Sequence, residues 1–341
     1  MAEHSKIEWC DSTFNPWIGC TQVSPGCDHC YAKEWDRRFA VSGHAMRWGP
    51  AAPRTRTSES NWRQPVRWNA QADAFEAAHG RRRRVFCASL ADVFDIEAPE
   101  AWRAELFALI GMTPRLDWLL LTKRIGNVPK LLERPGMPKD GLPANVWLGA
   151  TVVNQEEADR DIPKLIATPA RVRFLSIEPM LGEIDLTCDG LVCTPCTWCS
   201  DRSADPDTGA VEHCRKCEWT GKGDEWAVDW VICGGESGKL ARPMHPEWVR
   251  SLRDQCAAAR VPFLFKQWGE WLPGHQYGGE HKALDPDPEQ SRFACAQWDG
   301  HEWDIGRPLS FETYDEHALY RVGKRAAGRL LDGVEHNGVP R

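Results

Sequence analysis

Cys20, Cys27 and Cys30 share one short loop, spaced C-x6-C-x2-C behind an apolar run that ends in Gly19. Three thiolates on one loop can ligate three irons of a [4Fe-4S] cluster and leave the fourth iron open. A radical enzyme uses such an open iron to hold a small cofactor, S-adenosylmethionine being the common one. The same spacing also fits zinc, with Cys10 or His29 as a fourth ligand, or cysteines that bind no metal. A second group is Cys196-x2-Cys199 and Cys214-x2-Cys217, with fourteen residues between the pairs. Two such knuckles make a tetrahedral Zn2+ site with no open position, so the expected role is structural. Cys193 or Cys188 can replace one ligand there, and an Fe-S site is the rival assignment.

The elements that carry these loops follow from periodicity. Short apolar runs at 84–89, 117–121, 146–150, 171–176, 230–233 and 262–265 read as buried strands. Amphipathic stretches at 99–110, 127–132, 156–166 and 247–259 read as helices, the last with Pro246 in its first turn. A helix is expected at 31–39, and residues 14–18 bring the strand count to seven. This alternation predicts a parallel sheet with crossover helices.

Polar residues fall just past the strand ends: Ser89 and Asp92, Lys123 and Arg124, Glu178, Glu236, Lys266. A β/α barrel places its site there, whereas an open sheet gathers its site at one switch point. The cysteine loop follows the first strand, at that same mouth, where a structural zinc site has no reason to be. The expected fold is α/β, a partial (β/α) TIM-like barrel over residues 1–186 and 228–268. A zinc ribbon is expected at 187–227. A loop-rich C-terminal extension, 269–341, is expected to pack on the barrel and to end in a short basic helix.

Hydrophobic residues make up 42% of the 341, enough for a full core. No window of about 18 residues is apolar enough to cross a bilayer, and the polar N-terminus lacks signal-peptide character. A cytoplasmic location and no membrane contact are expected. Fourteen cysteines then point to metal sites and buried thiols rather than disulfides. The net charge of -7 argues against a general polyanion binder. Nine arginines between Arg47 and Arg84, against Glu59, Asp73 and Glu76, still allow a local phosphate-contacting surface. A solvated loop is the plainer reading. The 18 tryptophans suit stacking on bases or packing at seams, and packing is expected for most.

The chain resembles the phage Gp37/Gp68 family, a domain of unknown function (DUF5131). The resemblance rests on residues 13–31, Ser176-Ile-Glu178-Pro179, residues 229–238 with Gly234-Gly235-Glu236, residues 241–249, 263–269 and 323–333. The zinc-ribbon stretch lies outside the shared core. That family is similar to radical S-adenosylmethionine enzymes, with spore photoproduct lyase as a distant relative, and its members occur near a separate three-Cys-motif partner protein. Three features depart from the radical pattern, which spaces its cysteines C-x3-C-x2-C, puts an aromatic residue just before the third, and ends strand two in Gly-Gly-Glu. Here the first gap is six, His29 precedes Cys30 and Tyr31 follows it, and Gly-Gly-Glu ends the sixth strand.

The resemblance implies a [4Fe-4S] cluster on Cys20, Cys27 and Cys30, S-adenosylmethionine on its open iron, and an electron donor such as a flavodoxin or ferredoxin. Reductive cleavage then gives a 5'-deoxyadenosyl radical that abstracts hydrogen from a substrate. Ser89, Asp92, Glu178, Glu236 and Lys266 are the cofactor-binding candidates, and Lys123, Arg124 and Lys266 suit an anionic group. Glu178 and Cys233 are the catalytic candidates, Cys233 as a thiol returning a hydrogen atom. For each charged group the plainer role is a barrel-mouth ion pair, and for Cys233 it is core packing. The expected substrate is a nucleic-acid base. The rivals are a metal-stapled nucleic-acid-binding protein without catalysis and a barrel hydrolase using Glu178 and Glu236.

Overall fold

The computed structural model describes residues 3–40, 43, 45–187, 228–274, 294–306 and 318–340. The expected zinc ribbon, with Cys196, Cys199, Cys214 and Cys217, lies outside the described residues. The protein is a mixed α/β chain built on one curled, parallel, seven-stranded half-barrel. Its strands are β1 (Ser12–Thr13), β2 (Arg83–Cys87), β3 (Leu116–Thr122), β4 (Val146–Thr151), β5 (Val172–Ile177), β6 (Trp230–Gly234) and β7 (Phe263–Gln267). They pair in sequence order. Helices α1 (Tyr31–Ala40), α2 (Glu59–Trp62), α3 (Gln64–Ala70) and α4 (Ala72–His79) lie between β1 and β2. One helix follows each of β2, β3, β4 and β6: α5 (Glu100–Met112), α6 (Val128–Leu132), α7 (Gln155–Ala167) and α8 (Pro246–Ala258).

Side-chain alternation along the strands separates two apolar layers. Val85, Leu120, Leu148, Leu175, Val231 and Phe265 face the helices and join Leu106, Ile110, Ile162 and Val249. Phe86, Leu119, Trp147, Phe174, Trp230 and Leu264 face the concave side. Trp9, from the segment before β1, plugs that concavity, with its ring 4.5 Å from Phe86 and 6.4 Å from Trp230. Both faces are therefore dry, which is why the strands read as continuous apolar runs. The β7 edge is covered by the C-terminal tail: Phe265 N donates to His336 O and Gly338 N to Phe263 O. A covered edge has no free ladder for a second chain.

The structure differs from the sequence expectation in three places. The first sheet strand is Ser12–Thr13 rather than 14–18. Phe14 N makes the last bond of that ladder, to Phe86 O, and Pro16, which has no N–H, ends it. Trp17–Ile18 then pairs antiparallel with Thr55–Arg56. The region after Gly269 is not merely loop. It holds a four-stranded antiparallel sheet of β8 (Trp271–Pro273), β9 (Cys295–Trp298), β10 (Trp303–Gly306) and β11 (Leu319–Arg321), in the order β8-β11-β9-β10. Strands of three or four residues are too short to show a period of two. This sheet packs on the barrel through Trp298 against Trp248 of α8, at 5.1 Å, and through Trp271 Nε1 donating to Ala241 O. The expected closing helix shrinks to α9 (Lys324–Ala327), ended by Gly328 at φ 65°.

Most of the arginine-rich stretch is engaged within the chain. Arg47, Arg54, Arg56, Arg81 and Arg82 pair with Asp36, Asp95, Glu105, Asp11 and Asp117. Arg83 donates to Ser12 Oγ, and Arg84 lies over the Trp147 ring. Seven of the nine thus have a partner within the chain.

Candidate cofactor and active site

The C-terminal ends of the strands open into one cavity of about 680 Å³, bounded from Thr13 at β1 round to Lys266 at β7. Cys20, Cys27 and Cys30 line it together with Ser89, Asp92, Glu178 and Glu236. The strand-end and cysteine-loop candidates are therefore brought to one place, at the edge where β/α barrels do chemistry.

Local structure sets each cysteine. Ser24 Oγ accepts from Gly26 N at 3.0 Å and caps the short turn Pro25–Cys27. Cys27 N donates to Ser24 O, and Cys30 O accepts from Glu34 N, which starts α1. Cys27 and Cys30 thus sit on one turn–helix junction. Cys20 is held separately: its N–H donates to Arg47 O, and its carbonyl accepts from Gly49 N. Gly19 has φ 120°, and a Cβ there would stand 2.6 Å from Arg47 O, so only glycine fits before Cys20. The 47–54 segment is itself fixed by Arg54, whose side chain is 1% exposed. Arg54 pairs with Asp95 and Glu97 and donates to the carbonyls of Arg47, Gly49 and Ala52. A guanidinium with five donors satisfies such a loop where a lysine would not.

Arg124 connects this loop to β3. Its Nη1 is 3.4 Å from Cys20 Sγ and 3.0 Å from Asp92 Oδ2, and its Nη2 donates to Thr21 O. Burial pushes the Cys20 thiol up to about 12; Asp92 adds to this and the Arg124 guanidinium opposes it. Such a thiol ionises by exchanging its proton for a metal, next to a fixed cation.

The three candidate carboxylates have different surroundings. Asp92 accepts from Thr122 Oγ1, Phe94 N, Lys123 N and Arg124, which uses its lone pairs on the turn after β3. Glu236 accepts from Arg242 at both oxygens, 2.8 and 2.9 Å, and its Oε2 lies 3.0 Å from His29 Nδ1. Burial pushes the Glu236 carboxyl up, but Arg242 and His29 outweigh it and hold the group below its ordinary range. Arg242 continues to Asp28 Oδ2 and Pro25 O, so this pair clamps the Cys27 turn to the end of β6. Glu178 differs from both. Lys266 Nζ and Gln267 Nε2 bond only its Oε1, at 2.7 and 3.4 Å. Among the described residues nothing donates to Oε2, which leaves it for a ligand.

Cys233 does not join this group. Alternation points it to the helix side of β6, fully buried, with its thiol 3.7 Å from Met180 Sδ. It is absent from the cavity lining. Cys233→Ala is expected to cost about 1 kcal/mol in denaturant unfolding and to leave iron content unchanged.

Sequence reasoning missed Arg54, Arg242 and Trp9, and gave His29 only a zinc role. One signal was present for Arg242: it follows Glu236 in the same strand-end loop, and a buried carboxylate there needs a cation. Arg54 had no such cue, because its acids lie about forty residues ahead.

Among the described residues no three His, Cys, Asp or Glu side chains gather around one point as ligands to a single ion. A [4Fe-4S] cluster takes one thiolate at each of three irons. It requires three cysteines bordering one space, and Cys20, Cys27 and Cys30 all line this cavity. The donor types are those such a cluster would need.

A family model described as "Protein of unknown function (DUF5131)" matches residues 4–340. The chain belongs to that family. No curated protein and no solved structure gives a significant match. The DUF5131 match spans the half-barrel, the cysteine loop and the C-terminal sheet, so site and scaffold fall within one family unit. Among the described residues of this DUF5131 chain, no helix is long and apolar enough to cross a membrane.

Proposed function

We propose that this DUF5131 protein is a radical S-adenosylmethionine enzyme, akin to the Gp37/Gp68 proteins. One observation carries the reading: three cysteines of one loop face the cavity into which the half-barrel's strand ends open. Cys20, Cys27 and Cys30 would hold the cluster. With S-adenosylmethionine on the open iron, reduction supplies a 5'-deoxyadenosyl radical able to take hydrogen from an unactivated carbon.

The chain's own residues bind and orient. Arg124 offsets charge at Cys20. Lys266 fixes Glu178 through Oε1, and Oε2 of the same carboxylate would accept from the cofactor's amino group or a ribose hydroxyl. Glu236 and Arg242 hold the Cys27 turn in place. Tyr31 Oη donates to Ser89 O across the mouth, and Asn15 Nδ2 holds Ser89 Oγ, so Ser89 bounds the cofactor space. The apolar floor of Trp9 and Phe86 limits water. A nucleic-acid base is the substrate reading, supported by Trp48 and Tyr31 in the lining. A flavodoxin- or ferredoxin-type donor, a reducing cytoplasm, a structural zinc at Cys196, Cys199, Cys214 and Cys217, and a three-Cys-motif partner complete the proposal.

The hydrolase alternative is weaker on the same geometry. A general acid needs a raised pKa, whereas Arg242 and His29 hold Glu236 low. The non-catalytic nucleic-acid binder loses the arginine stretch that motivated it, since most of those arginines pair internally. Metal analysis after anaerobic purification separates the readings. Four irons and four sulfides per chain are expected, with a separate zinc. Zinc at both cysteine groups and no iron would overturn the proposal.

A further inference from the structure

The charges lining the cavity do not balance. Three carboxylates line it, Asp92, Glu178 and Glu236, and each has a built-in cation. Asp92 pairs with Arg124 at 3.0 Å, Glu178 with Lys266 at 2.7 Å, and Glu236 with Arg242 at 2.8 Å. With histidines counted neutral, Lys6, Lys123 and Lys324 are left over. None of the three has a carboxylate partner among the described residues.

The surplus comes from separate parts of the chain. Lys6 is on the segment that leads to Trp9, Lys123 is at the end of β3, and Lys324 begins α9. Lys6 and Lys324 are exposed at the rim, and Lys123 is half-buried. Lys123 also stands against the cysteine turn: a Cβ placed on Gly26 would lie 3.5 Å from its Cε. A lysine on the cavity wall without a counter-ion is available to bind an anion.

The cofactor pair answers this charge only in part. An oxidised [4Fe-4S] core with three thiolates would carry a single negative charge, and S-adenosylmethionine, its amine unprotonated to bind iron, would be neutral overall. Together they would offset one of the three lysines, which leaves two for an anion brought by the other molecule in the cavity. This step rests on the radical reading for the charge of the pair, although the same three lysines stay unbalanced without it. Trp48 and Tyr31 line the same space and offer aromatic faces. Fixed cations beside aromatic rings are the usual receptor for a base joined to a phosphate.

We infer that the substrate is a single phosphorylated nucleotide unit, its phosphate held by Lys123 and steered in by Lys6 and Lys324. The recessed cavity and the internally paired arginines favour recognition of that unit over a duplex surface.

Titration calorimetry on the anaerobic full-length protein tests this. The probes are adenosine and uridine 5'-monophosphates, the matching nucleosides, and ribose 5-phosphate. The monophosphates are expected to bind at least about tenfold tighter than the nucleosides at low salt, with the advantage shrinking as salt rises. Lys123→Ala is expected to remove that advantage, Lys123→Arg to restore most of it, and Lys6→Ala or Lys324→Ala to cost about two- to threefold each. Equal binding of nucleosides and monophosphates, or full affinity in a folded Lys123→Ala protein, would overturn the assignment. Ribose 5-phosphate binding as tightly as the nucleotides would overturn the role of the base. Measuring 5'-deoxyadenosine in the same preparations keeps the two claims apart. Cleavage without phosphate preference sinks the substrate class alone; phosphate-dependent binding without cleavage sinks the radical chemistry alone.

Discussion

Cys27→Ala protein, purified and reconstituted without oxygen, is expected to retain almost no iron or sulfide and to form no 5'-deoxyadenosine. Two thiolates cannot close a site that needs three, and the nearby groups are committed elsewhere. His29 is at Glu236, and Asp92 is spent on Thr122, Arg124 and backbone N–H groups. The fold should survive the change. Cys27 packs at the cavity wall, not in either apolar layer, so the cluster-free variant and the cluster-free parent should unfold within about 1 kcal/mol of each other. Loss of iron with an unchanged denaturation midpoint separates a ligand from a core residue. Cys20→Ala and Cys30→Ala should behave alike, whereas Cys10→Ala and Cys233→Ala should keep their iron. Iron retained in Cys27→Ala would remove the basis of the proposed chemistry.

The second large effect belongs to the clamp between β6 and the cysteine turn. Arg242→Ala leaves Glu236, 6% exposed, without its main counter-ion and frees Asp28 and the Pro25 carbonyl. Removing one partner of a buried pair costs about 3 kcal/mol. Glu236→Gln added to Arg242→Ala should recover much of it, because no charge is then stranded. The pH dependence has a definite sign. Glu236 is held below its ordinary 4.5, so the clamp's contribution is complete above that value and is lost as pH falls through the lower folded value. Urea unfolding between pH 7 and 3 should therefore show a shallower acid loss in Glu236→Gln than in the parent. Arg242→Ala should also slow cluster assembly, since the turn carrying Cys27 is no longer held. An equally steep acid loss in Glu236→Gln would mean that the pair is decorative.

Much of the scaffold was legible because a parallel sheet buried on both faces writes itself as short apolar runs. Those at 117–121, 146–150 and 230–233 lie within β3, β4 and β6. The same burial hid which face each residue takes. Cys233 and Ile232 are equally apolar in context, and only the folded sheet turns Ile232 inward and Cys233 toward the helices. The antiparallel sheet from β8 to β11 was invisible for another reason: its strands are too short to carry a period.

The site was legible in part. Polar residues at strand ends marked the mouth, and the cysteine spacing marked a loop that lines it. Which carboxylate remains available was not readable. Asp92, Glu178 and Glu236 look alike in sequence, but their partners are spread between residues 29 and 267. The arginine pairings were hidden for the same reason, because Arg81 meets Asp11 across 70 positions. Long-range pairing makes much of an apparently basic run internal bracing.

The most direct measurement is 5'-deoxyadenosine by chromatography after adding dithionite and S-adenosylmethionine to the reconstituted, oxygen-free protein. The account predicts 5'-deoxyadenosine together with methionine in equal amounts, dependent on reductant and absent in Cys27→Ala. A fully loaded cluster that yields neither product would contradict it.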